Sequence, residues 1–132
     1  MFLQRLRPLR GQRGLTLVEA LIVIAIIGII AAIAFPLYEN VQRRARIAQA
    51  QNNAREIAHA VLVYTAHAGT LPAALDDITH EVTVNGVASG PFMKPVLTPP
   101  TRGGWPATYT YTVKGRSFSI TASGDAATIT VP

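Results

Sequence analysis

From Ala20 through Tyr38 the chain runs for 19 residues without a charge, including the unbroken apolar stretch Leu21-Ile22-Val23-Ile24-Ala25-Ile26-Ile27-Gly28-Ile29-Ile30. At the helical rise this run spans roughly 28 Å, close to the ~30 Å hydrocarbon core of a bilayer. It is apolar all round, so a helix here has no face meant for water. The charge is just as localised. Of the formal +5, four units come from Arg5, Arg7, Arg10 and Arg13, in a stretch with no acid, leaving eight basic against seven acidic groups for residues 15–132. The basicity belongs to the first segment and not to a nucleic-acid-binding body. A basic flank before an apolar span predicts a cytoplasmic N-terminus with the rest across the membrane. Arg43, Arg44 and Arg46 beyond the other end weaken that orientation without reversing it.

Two ordinary readings fit the apolar run, a single-pass anchor and a removed secretory signal. Ala32-Ile33-Ala34 imitates the small-residue cleavage site of the latter. Neither accounts for Glu19. A carboxylate inside an otherwise apolar segment costs about 1–3 kcal/mol of insertion free energy, according to depth, and such a residue normally has a partner or a task.

The stretch from Arg13-Gly14-Leu15-Thr16-Leu17-Val18-Glu19 through Phe35-Pro36 resembles the N-terminus of type IV pilin-like precursors, the superfamily of type IV pilins and type II secretion pseudopilins. The resemblance is specific over residues 11–46 and only architectural beyond. It implies cleavage between Gly14 and Leu15 by a prepilin peptidase and N-methylation of the new terminal Leu15. It also implies an assembly role for Glu19, fifth in the mature chain. Physically, cleavage would leave a positive amine four residues from a carboxylate in apolar surroundings. Pairing Glu19 with a neighbouring subunit's amine would satisfy two charges that resist burial, and suits a register device better than a source of net stability.

Past the span, Ile47, Ala50, Ala54, Ile57, Val61, Tyr64 and Ala68 keep a three-and-four spacing, with Arg46, Gln49, Asn53, Arg55 and Glu56 opposite. A helix from about Leu15 to Ala68 is expected, stopped by Gly69, loosened at Gly28 and broken or kinked at Pro36. Ala73–Ile78 reads as a short apolar-anchored segment, with Asp76-Asp77 as a helix-start or loop pair. Glu81–Ala88 reads as a hairpin with Asn85-Gly86 at its tip. The stretch containing Pro91, Pro95, Pro99, Pro100 and Pro106 reads as a constrained surface loop. Thr108–Val113, Ser117–Ala122 and Ala127–Val131 alternate as three strands, turning at Lys114-Gly115 and Ser123-Gly124-Asp125. Their apolar parity is Tyr109, Tyr111, Val113, Phe118, Ile120, Ile129 and Val131. The fold expected is α+β and pilin-like: a long N-terminal helix, transmembrane in its first half, packed on a small C-terminal antiparallel sheet. The segments are a leader at 1–14, a membrane or filament-core half at 15–38 and a globular head at 39–132.

The chemical inventory is thin. Cysteine is absent, which excludes thiol catalysis, disulfides and Cys-ligated metals. Glu56-x-x-His59 has the spacing used in di-iron bundles but lacks the second copy such sites need. His67 and His80 have no spaced partners, and Asp125 stands alone among the last fifty residues, so neither a calcium site nor any cofactor is expected. Tyr64, Trp105, Tyr109 and Tyr111 read as core rather than as a nucleobase platform. The Arg43-Arg44-Ala45-Arg46 cluster reads as a water-interface marker before a DNA contact, and nucleic acid is the disfavoured partner. The reading is a non-enzymatic subunit polymerised from the inner membrane into a pilus or pseudopilus, its head outside the cytoplasm. By the resemblance, its partners are identical or related subunits, the prepilin peptidase, an assembly platform with its ATPase, and the bilayer. The competing class is a monomeric, single-pass anchored binding domain.

Overall fold

In the computed structural model, which describes residues 14–132, the architecture is α+β. Helix α1 (Leu17–Ala68) is followed by a 3₁₀ turn (Leu75–Thr79), the hairpin strands β1 (Val82–Val84) and β2 (Val87–Ser89), then β3 (Thr110–Lys114), β4 (Ser117–Gly124) and β5 (Ala127–Val131). Arg5, Arg7, Arg10 and Arg13 and the rest of residues 1–13, on which the expected leader falls, lie outside the described residues. The chain divides into two compact units, Met1–Tyr38 and Glu39–Pro132.

In the first unit, α1 is solvent-bare on every face, with Leu17 77%, Ile24 62% and Ile33 68% exposed. The helix runs through Gly28 and Pro36 without interruption, so of the break or kink expected at Pro36 the break does not occur. Proline removes a single donor from the ladder, and the remaining bonds on either side carry the helix on.

In the second unit, the spaced stripe does what its period demands. Ala50, Ala54, Ile57 and Val61 are buried, joined by Ala58 and Ala60, while Ile47 and Tyr64 pack at the margin. Gly69 ends the helix in the left-handed region (φ 76°), its N–H donating to Thr65 O at 2.8 Å, the geometry in which glycine stops a helix without a Cβ penalty. The meander has order β3-β4-β5. Its register sets Tyr111 opposite Ile120 and Ala122 opposite Ile129, so one face of the sheet is apolar. Ile120, Ala122 and Ile129 are buried with Ile78 and the α1 stripe in one core. Val113, placed on that same parity, lies beyond the core's edge and is 41% exposed. The hairpin turns on Asn85 (φ 51°) and Gly86 (φ 80°), as its Asn-Gly tip implies.

Three local expectations are corrected. Tyr109 precedes β3 instead of lying within it. Strand β4 continues through Gly124, so the β4–β5 turn falls on Asp125 and Ala126, both with positive φ (52° and 58°). Gly124 belongs to the strand because the Trp105 indole occupies the space that a Cβ would need. The proline-rich stretch is irregular but not merely superficial. Pro99, Pro100 and Trp105 are buried, and Phe92, Met93, Val96 and Leu97 pack against the core. A three-stranded sheet and half a helix leave core surface uncovered, and this loop covers it.

Candidate processing and assembly segment

Gly14 and Leu15 are exposed and precede the helix, and space around Gly14 is open. The helix starts where a capping residue allows. Thr16 Oγ1 accepts the N–H of Glu19 at 3.2 Å, and Thr16 O accepts that of Ala20 at 3.0 Å. This satisfies donors that a helix N-terminus leaves orphaned. Sequence reading passed over Thr16, although Thr-x-x-Glu before an apolar run is a capping spacing that could have identified it. Glu19 lies in the first turn of α1, where a negative charge complements the helix dipole. It is the sole charged side chain between Leu15 and Tyr38. Gly14, Leu15, Thr16 and Glu19 are therefore gathered at one helix terminus, while Gly28 and Pro36 lie farther along. The helix is long and apolar enough to cross a membrane, and its apolar window is bare.

The second cluster lies in the head. Asp125 accepts from Arg46 Nε at 2.8 Å and Nη2 at 2.6 Å, and from Trp105 Nε1 at 2.8 Å. Its own N–H donates to Gly103 O at 2.6 Å. The carboxylate side chain is only 6% exposed. The Arg46 hydrogen bonds, helped by Trp105 and the nearby charge of Arg43, hold its carboxyl down to about 2 despite burial. A bidentate arginine pair of this kind is geometrically specific as well as strong. Two expectations are corrected here. Arg46 is half-buried and paired instead of occupying a solvated face, and Asp125, solitary in sequence, is the hub of a network.

Other polar groups are used structurally. Tyr109 Oη donates to Ala50 O at 2.8 Å, Tyr111 Oη to Pro72 O at 3.0 Å and Asn53 Nδ2 to Thr98 O at 3.0 Å. Burial raises the Tyr109 phenol above its ordinary pKa, and does the same to Tyr111 with help from Asp77 and Tyr64. His67 Nε2 lies 3.2 Å from Val82 O, and Glu56 and His59 are both exposed. Asp77 accepts the Ala74 N–H at 2.9 Å, at the start of the 3₁₀ turn. Among the described residues no group of three or more His, Asp or Glu side chains is placed to hold a metal.

The chain matches the family described as Prokaryotic N-terminal methylation motif over residues 9–35, the stretch that holds Gly14, Leu15 and Glu19. Fimbrial protein EcpC of Eikenella corrodens is 44% identical over 75 residues, covering 57% of this chain and 49% of the relative. The type IV major pilin protein PilE of Neisseria gonorrhoeae is 36% identical over 85 residues, covering 64% and 50%. The chain is similar to type IV pilins and fimbrial proteins. A fimbrial protein of Moraxella nonliquefaciens is 52% identical over 42 residues, covering 32% of this chain and 27% of its own. The chain spans about half the length of the first two of these relatives. No solved structure matches it.

Proposed function

We propose that this chain is a structural, non-enzymatic subunit of a type IV pilus-like filament. It is stored as a single-pass inner-membrane protein and then polymerised through the first half of α1. The observation that carries the reading is the bare apolar half of α1, with Glu19 as its one charge, lying on a match to the N-terminal methylation motif. Water is a poor solvent for that surface, and only lipid or other copies of the same helix bury it on all sides. The named pilins and fimbrial proteins among the relatives support a pilus over a secretion pseudopilus.

In this reading residues 1–14 are a leader removed by a prepilin peptidase on the cytoplasmic side. Leu15 becomes the N-methylated terminus, residues 15–38 form the membrane and filament-core half, and 39–132 form the head outside the cytoplasm. Exposure of Gly14 and Leu15 ahead of the capped helix suits a peptidase that must hold both residues. Glu19 pairs with the Leu15 amine of a neighbour, which sets register as an assembly platform and its ATPase add subunits. Gly28 and Pro36 are the places where the helix yields when lipid is exchanged for subunits. Contacts that are heterologous and do not close make a fibre.

Intact-mass measurement of native protein, paired with shearing of surface filaments, tests this. The expected mass begins at a methylated Leu15. Glu19→Ala should be processed and inserted, since removing a charge from the span eases insertion, yet yield no filaments. Glu19→Gln should fail nearly as badly if charge is what is needed. A mature terminus at Phe35 would establish a secretory signal instead. Wild-type filament yield from either Glu19 variant would refute the pairing, and a processed wild-type chain that never polymerises would favour the monomeric anchor.

A further inference from the structure

The head carries a cationic corner outside the segment assigned above to processing and assembly. Arg43 and Arg44 are exposed on α1, and Arg102 is exposed in the loop before β3. The fold brings Arg43 and the loop that carries Arg102 together through the Asp125 hub, while Arg44 follows Arg43 farther round the helix. Arg102 precedes Gly103, whose carbonyl receives the Asp125 amide. Arg43 stands one helical turn before Arg46 and is close enough to act on the Asp125 carboxylate. Arg46 itself is neutralised by Asp125, which leaves the exposed guanidiniums of Arg43, Arg44 and Arg102, with Glu39 near enough to act on Arg46. Thr101, Gly103 and Gly104 beside Arg102 are exposed and uncharged, and the carboxylate that lies against Gly103, that of Asp125, is already paired with Arg46.

We propose that Arg43, Arg44 and Arg102 form a docking surface for anionic phospholipid headgroups, which seats the head of the stored monomer on the bilayer. This rests on the membrane-anchored reading above. Arg43 and Arg44 follow Tyr38, the end of the charge-free run, by five and six residues. At the helical rise that is about 8 Å, against a headgroup layer of roughly 5–7 Å on each side of the hydrocarbon. Arg43 and Arg44 thus come at the depth of the phosphates, where basic side chains are attracted to anionic lipid and a guanidinium can bind phosphate through two hydrogen bonds. This placement beside the span favours a lipid surface over a nucleic acid.

Trp105 is the sole tryptophan and belongs to the same corner, so it serves as a built-in probe. The full chain would be placed in nanodiscs of phosphatidylcholine, or of equal parts phosphatidylcholine and phosphatidylglycerol, each containing a headgroup-spin-labelled lipid. Quenching of Trp105 should be greater with phosphatidylglycerol and fall with added salt. Changing Arg43, Arg44 and Arg102 together to Gln should lower the docked-to-free ratio of the head by about tenfold or more. The corresponding triple Lys variant should keep most of the effect, because the attraction is one of charge. Unchanged thermal melting of the head in both variants separates docking from folding. Insertion with equal quenching in the two lipids would overturn the docking surface while leaving the anchor intact. Failure to insert in either lipid would overturn both. Relief of the quenching by a duplex oligonucleotide, lost in the Gln variant, would assign the corner to nucleic acid and overturn the lipid assignment.

Discussion

Single residues in the head hold unusual states because specific partners hold them there. Asp125 takes a left-handed backbone, which asparagine and aspartate tolerate better than most residues, and its carboxylate is anchored by Arg46 and Trp105. Because its folded pKa, about 2, lies below the ordinary 3.8, its contribution to stability is complete above the unfolded value. It is lost as pH falls through the folded one. Thermal melting of the wild type and of Asp125→Asn should therefore differ most above pH 4 and converge toward pH 2. A constant difference across that window would mean that the ion pair is not what stabilises the turn. Ala126 has no such anchor at φ 58° and is exposed, so Ala126→Gly should stabilise the head by about 1 kcal/mol in denaturant titration. Tyr109→Phe removes the donor to Ala50 O inside the core, and the same titration should register a loss of about 1 kcal/mol.

Elements differ in how openly the sequence announces them. The strands alternate, the Asn-Gly hairpin advertises its own turn, and the α1 stripe repeats at three and four, because period and turn chemistry are local properties. The position of the β4–β5 turn was not legible in the same way. Gly124 looks like a turn glycine, but its missing Cβ makes room for an indole from the preceding loop, a tertiary reason that no local window contains. The Arg46–Asp125 pair joins residues 79 apart, and the burial of Pro99 and Pro100 depends on what a small sheet leaves uncovered. At the proposed site, Gly14, Leu15 and Glu19 stand out as a pattern, and the Thr16 cap is legible only in its spacing to Glu19. Gly124→Val should push Trp105 out of place and cost about 2 kcal/mol or more, with a red shift in tryptophan emission as the indole meets water. Thr16→Ala should fray the first turn of α1 by about 1 kcal/mol. That would be read as faster amide exchange at Glu19 and Ala20 with the rest of the helix unaltered.

The molecule as a whole asks two solvents of one helix. Every residue that α1 contributes to the buried core lies at Ala50 or beyond, so the head's fold does not depend on what surrounds residues 17–38. Amide exchange of the full chain should show equal protection of Ile57, Ile120 and Ile129 in detergent micelles and in nanodiscs. A head that loosens in detergent would refute that independence. The attachments of the head to its helix have a mechanical meaning. Arg46 to Asp125, Ala50 to Tyr109, Asn53 to Thr98 and His67 to Val82 are spread along about 30 Å of α1. A pull along the helix axis loads them in shear, all at once, so that none fails until the group does. A sideways tug on the head would instead peel them one after another from an end. A fibre built on such helices would resist tension along its length better than it resists abrasion of its surface.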